Sequence, residues 1–187
     1  MKGVVFTTFL DLVETQFGDE VADRIIEESN LATGGAYTSV GTYDCDELIQ
    51  MVVALSKHTD VPIPKLIFAF GQFLFKRFTE TYPQLFSDAD SAFDFLSKIH
   101  SYIHVEVKKL YPNAELPTIE HRFVDDHQME LVYKSSRPFA DLAEGLIVAT
   151  VEHFGEPITV VREDIGADGT QAKFHLTAQV RVESCLL

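Results

Sequence analysis

The chain is predicted to be an α+β protein, with a helical N-terminal part followed by a C-terminal part that mixes strands and helices. Three observations predict it. Apolar residues recur at helical spacing from Val5 to Leu110. After Pro117 the period changes, and Met129, Leu131, Tyr133, Ser135 and Arg137 alternate with Glu130, Val132, Lys134 and Ser136. No repeat, low-complexity tract or linker divides the two regions, so the 187 residues are expected to form one domain, residues 1–187.

The elements follow in order. Val5, Phe9, Leu12, Val13 and Phe17 share a helical face that ends at Gly18, and Ala22, Ile25 and Ile26 continue it in a second, shorter helix. Leu31 to Tyr43, rich in Gly, Ser and Thr, reads as a loop. Helical periodicity resumes over Asp46 to His58 through Leu48, Met51, Val52 and Leu55. Pro62 and Pro64 mark the next start. Ile63 to Phe78 is apolar around most of its circumference and is expected to lie deep. Gly71 within it costs about 1 kcal/mol relative to Ala, so a close neighbour is expected there. Asp90 to Leu110 reads as one helix, with Phe93, Leu96, Ile103, Val107 and Leu110 on one face and His100 and His104 bordering it. Pro138 fits the first turn of a helix running through Leu142, Leu146 and Ile147 to Phe154. Pro157 to Arg162 and Lys173 to Val182 read as strands around the turn Gly166-Ala167-Asp168-Gly169.

Composition narrows the function. The hydrophobic fraction of 46% and charged fraction of 24% are those of an ordinary soluble protein, but 15 Phe and no Trp make the interior Phe-heavy. Such an interior suits the wall of a flat apolar ligand as well as it suits plain core. The formal charge of −14 is spread along the chain, which argues against nucleic acid and against anionic membrane as partners. Cys45 and Cys185 are too few for a disulfide framework or a cysteine zinc site, and a reducing cytoplasm is the expected location. The apolar start carries Lys2, Asp11 and Glu14 and reads as neither a signal peptide nor a membrane span.

Two segments carry chemistry. In Ile99 to Pro112 an imidazole borders an apolar face, where it can offer a neutral nitrogen to iron. His104 and His100 both fit, and periodicity alone does not choose between them. In Tyr133-x-Ser135-x-Arg137, strand alternation sends two hydroxyls and a guanidinium to one side, a set that matches a pair of carboxylates. Together they suggest a heme pocket. A zinc clasp by His100 and His104 is weaker, because Ser101 stands where a metalloprotease places Glu.

The opening Met1-Lys2-Gly3, the helix with Phe70-Gly71 and Phe78, the His104 to Tyr111-Pro112 segment, Pro117 and the Tyr133-x-Ser135-x-Arg137 motif together resemble the heme nitric oxide/oxygen binding (H-NOX) domains, bacterial relatives of the heme domain of soluble guanylate cyclase. The resemblance implies a helical N-terminal part and a C-terminal antiparallel sheet with helices, heme b (iron protoporphyrin IX) being sandwiched between them. It implies His104 as the proximal iron ligand, Tyr133, Ser135 and Arg137 as holders of the propionates, Phe78 and Pro117 as residues pressing on the porphyrin, and Val5 and Leu146 as pocket lining. One departure concerns Cys45. Some relatives place an Asp there to pair with the motif arginine, and here Asp44 and Asp46 flank the position.

Members that bind oxygen use a distal Tyr supported by Trp and Asn. The matching positions here are Leu142, Phe9 and Leu74. A hydrogen bond to the charged outer atom of bound oxygen is worth about 1.5–3 kcal/mol, so its loss disfavours oxygen. The resemblance therefore implies a nitric oxide sensor, with CO as a weaker ligand and oxygen excluded. NO would break the iron–His104 bond, and the signal would pass to a separate protein, a histidine kinase or a cyclic-di-GMP enzyme, because no catalytic domain is expected in this chain. The competing readings are a metal-dependent enzyme using His100, His104 and an acid such as Glu106, and a heme-free interaction module with a Phe-packed core.

Overall fold

In the computed structural model, residues 1–179 are described. Helix α1 (Gly3–Phe17) buries Phe6, Phe9, Leu12 and Val13 and stops at Gly18, whose φ of 90° is a conformation that glycine adopts without a steric penalty. Helix α2 (Asp19–Glu28) buries Ala22 and Ile25. Helix α3 (Cys45–Thr59) is capped by Asp44, whose side chain accepts from the Asp46 N–H at 3.1 Å. Helix α4 (Ile63–Thr81) has Pro64 in its first turn and buries Leu66, Ile67, Phe70, Gly71, Leu74 and Phe75. It runs past Phe78, where the apolar pattern ends. The Leu31 to Tyr43 stretch holds no helix or strand. It is fastened to α3 by buried Glu47, which accepts from Thr33 Oγ1 at 2.5 Å and from the Tyr37 hydroxyl at 2.6 Å.

The single helix expected over Asp90 to Leu110 is broken. Helix α5 (Ala92–Lys98) passes into a π-turn over Ile99–Ile103, and helix α6 (His104–Leu110) continues from it. The His104 N–H bonds the Ile99 carbonyl, one residue beyond α-helical reach. The extra residue rotates α6 by about 100° relative to α5, and of the expected common face only Phe93 turns away from the rest. Leu96 packs into the sheet-side core and also borders the cavity that Ile103, Val107 and Leu110 line, whereas Phe93 stays on the sheet side.

The sheet has the order β1-β2-β4-β3 with all neighbours antiparallel. Strand β2 (Gln128–Lys134) alternates cleanly and buries Met129, Leu131 and Tyr133. Strand β1 (Thr118–Asp125) has no counterpart among the expected elements: it lies at the sheet edge, only Ile119 in it is buried, and so it carries no alternation. Strands β3 (Ile158–Asp164) and β4 (Gln171–Ala178) flank the expected turn. Beyond Gln179 the expected strand end at Val182 lies outside the described residues, as does Cys185.

Helix α7 (Ala140–Phe154) begins two residues after Pro138, which therefore sits before the first turn rather than in it. Helix α7 crosses α4 closely. A methyl group on Gly71 would lie 2.4 Å from the Leu142 carbonyl oxygen, and one on Gly145 would lie 2.1 Å from that of Phe68. Both glycines are there because nothing larger fits between the two backbones. One apolar core gathers α1 to α4, and a second gathers α5, α7 and the sheet around Leu131, Tyr133, Ile147 and Phe174.

Candidate cofactor-binding site

A cavity of about 290 Å³ is lined by residues of both cores. Its walls are apolar. Val5 comes from α1, Leu74 and Phe78 from α4, and Leu142 and Leu146 from α7, each placed by the helical repeat of its own element. Pro117, just ahead of β1, completes the wall, and Tyr133, Ser135 and Arg137 add polar groups from the end of β2 and the turn after it.

His104 lines this cavity and His100 does not. His100 lies inside the π-turn, and His104 follows it as the first residue of α6. Their ring centroids stand 6.3 Å apart, and His100 is exposed. Burial pushes the His104 imidazole down to about 4, with smaller help from the neighbouring charges of His100 and Lys108. At neutral pH the ring is therefore uncharged, with a nitrogen lone pair free to bind a metal. Glu106 bonds Lys109 at 2.5 Å and stays outside the cavity lining. Among the described residues the one grouping of three metal-binding side chains is Asp44, Cys45 and Asp46, which includes neither histidine. Neither observation favours the zinc or metal-enzyme reading of His100 and His104.

Strand alternation accounts for only one of the three motif residues. Tyr133 lies in β2, whereas Ser135 and Arg137 lie in a turn that the Arg137 N–H closes onto Ser135 Oγ at 3.1 Å. The Tyr133 hydroxyl reaches the Arg137 carbonyl at 3.5 Å, and burial raises the phenol above its usual range. All three still converge on the cavity. The Arg137 guanidinium donates to the Glu115 carbonyl at 3.2 Å and pairs with the Glu115 carboxylate. Glu115 is thus the acidic partner, not Asp44 or Asp46. It sits in the irregular stretch before Pro117, where no periodic signal marks it.

Phe9 differs from expectation. It is fully buried in the N-terminal core, edge-on to Phe70 at 5.3 Å, and is not part of the lining. The remaining expected residues, Val5, Leu74, Phe78, Pro117, Leu142 and Leu146, all face the cavity. One neutral imidazole inside apolar walls, with hydroxyls and a guanidinium at one end, fits a flat apolar group that carries a metal at its centre and carboxylates at its edge.

A family model described as Haem-NO-binding matches residues 2–162. The H-NOX protein from K. algicida, solved as Fe(II) unliganded, is 40% identical with a TM-score of 0.92, covering 97% of this chain and 98% of that one. The H-NOX from Shewanella woodyi, bound to IWP-051 in the Fe(II)CO state, is 42% identical with a TM-score of 0.82, covering 100% and 99%. The S. oneidensis H-NOX protein in the Fe(II)NO state is 30% identical with a TM-score of 0.88, covering 96% and 100%. No curated protein sequence matches the chain. Among the described residues no helix is long and apolar enough to cross a membrane. The chain belongs to the H-NOX family of heme-binding gas-sensor domains.

Proposed function

We propose that the chain acts as one heme-binding unit that senses nitric oxide, binds CO more weakly and excludes oxygen. The observation that carries this reading is a neutral, half-buried His104 facing a cavity in which Leu74, Leu142 and Leu146 offer hydrocarbon and the Thr150 hydroxyl is spent on the Leu146 carbonyl at 2.8 Å. Heme b, when bound, supplies a ferrous iron that takes a diatomic gas. His104 would supply the imidazole that holds the iron, and Tyr133, Ser135 and Arg137 would hold the carboxylates. Phe78 and Pro117, both in the cavity wall, would bear on the flat faces. Leu142 and Leu74 offer only hydrocarbon, so bound oxygen finds no partner for its partial charge.

His104 also carries the signal. With heme bound, an imidazole released from the iron would no longer anchor α6, and the helix would be free to shift, a two-state element biased by a ligand. The recipient is a separate cytoplasmic signalling protein, a histidine kinase or a cyclic-di-GMP enzyme, and the chain itself catalyses nothing. The test is His104→Gly. The variant is expected to lose heme during purification and to regain it when imidazole is added. A variant that held heme as tightly as the parent, without imidazole, would remove His104 from the account.

A further inference from the structure

The segment that carries His104 turns Ile103, His104, Val107 and Leu110 to the cavity and makes few polar contacts with the rest of the fold. No residue of α6 is fully buried, and His104 itself is half-buried. Between Ile99 and Tyr111, among the described residues, one side-chain hydrogen bond reaches another element, from hydroxyl to hydroxyl between Tyr111 and Tyr82 at 2.9 Å. Each tyrosine closes a helix. Tyr82 ends α4 and donates its N–H to the Phe78 carbonyl at 2.8 Å, and Tyr111 ends α6 and donates to that of Val107 at 2.8 Å. Helix α4 is fixed in the core by Phe70, Leu74 and Phe75, so the bond joins the helix that lines the cavity to one anchored in the core. Both side chains are partly buried and line the cavity, where water competes poorly for their hydroxyls. The Lys2 ammonium, 5.6 Å from the Tyr111 ring centroid and 2.9 Å from Thr42 Oγ1, adds a second and weaker hold from the N-terminus.

We propose that Tyr82 and Tyr111 are positioning residues for His104: their hydroxyl pair pins the end of α6 to the end of α4 and so keeps the imidazole aimed into the cavity. The inference rests on the heme-sensor reading. A neutral hydrogen bond of this kind is worth about two- to tenfold in the balance between docked and undocked α6. Removing either hydroxyl shifts that balance toward the undocked helix.

The experiment compares the heme-loaded protein with Tyr82→Phe, Tyr111→Phe and the double variant, each of which keeps both rings. Backbone hydrogen exchange over residues 104–111 is measured in the ferrous protein with and without NO, together with the iron–imidazole vibration before NO is added. Each single variant is expected to speed exchange in this segment by about two- to tenfold without changing β2 or β4. The vibration is expected to shift or broaden. The double variant is expected to match the singles, because either change already breaks the bond. Unchanged exchange in residues 104–111, or effects that add in the double variant, would overturn the proposal. A protein that holds no heme would defeat the sensor reading instead, and the same exchange comparison on the heme-free chain would still decide whether the pair tethers α6.

Discussion

Replacing Gly145 with Ala tests the packing that shapes the cavity. The new methyl would lie 2.1 Å from the Phe68 carbonyl oxygen, a backbone atom that no side-chain rotation can move aside. Helices α4 and α7 must therefore part by roughly 1 Å, and interiors packed like crystals do not yield that distance freely. Overpacking of this kind costs about 1–3 kcal/mol, against which alanine returns about 1 kcal/mol of helix propensity. The net loss is up to about 2 kcal/mol, and at this chain length each kcal/mol lowers Tm by about 2–4 °C. Gly71→Ala is expected to cost less, since its methyl meets the Leu142 carbonyl oxygen at 2.4 Å, and the double variant less than the sum, because both relieve themselves by opening one crossing. Thermal unfolding monitored by circular dichroism, at equal heme loading, measures this. Leu142 and Leu146 stand on the same stretch of α7 and line the cavity, so heme retention is expected to fall in step. A Tm raised by Gly145→Ala would show that propensity outweighs the contact and that the two backbones are not in enforced proximity.

The same geometry sets further outcomes. Leu142→Tyr places a hydroxyl on the cavity wall and is expected to raise oxygen affinity by about ten- to a hundredfold, checked by absorption in air. Arg137→Ala removes the charged donor at the polar end and is expected to speed heme loss to an excess of an apo-globin acceptor by about tenfold or more. Glu115→Gln is expected to do so by less, because that carboxylate is 74% exposed and weakly held. Burial and the Tyr111 hydroxyl raise Tyr82 from 10.0 to about 12, so folding favours the neutral phenol. The stability this contributes is whole below pH 10 and is lost as pH rises through about 12. Urea unfolding at a series of alkaline pH values is expected to show a steeper loss for the parent than for Tyr82→Phe.

Helices α1, α3 and α4 are legible in the sequence because each presents one wide apolar stripe, and β2 because it lies inside the sheet with one face buried. Strand β1 is invisible for the opposite reason: an edge strand with six exposed residues after Ile119 leaves no periodic trace. The π-turn is also hidden, since one extra residue between Ile99 and His104 changes the rotation of α6 without changing the residue types. Which of His100 and His104 faces the cavity is likewise a matter of tertiary placement, a choice periodicity could not make. Glu115 carries no sequence signal because an ion pair between an irregular segment and a turn depends on tertiary placement alone. Phe9 shares the core stripe of α1 with Phe6 and Leu12, and its position in sequence could not say that Val5, not Phe9, turns toward the cavity.

The most direct test is the absorption spectrum of the heme-loaded protein, reduced under nitrogen and then exposed in turn to air and to NO. A five-coordinate histidyl spectrum that persists in air and changes to a five-coordinate nitrosyl spectrum with NO is the expected result. A stable oxygen complex in air would contradict the argument from Leu142 and Leu74, and a nitrosyl form that keeps its histidine would contradict the release of His104.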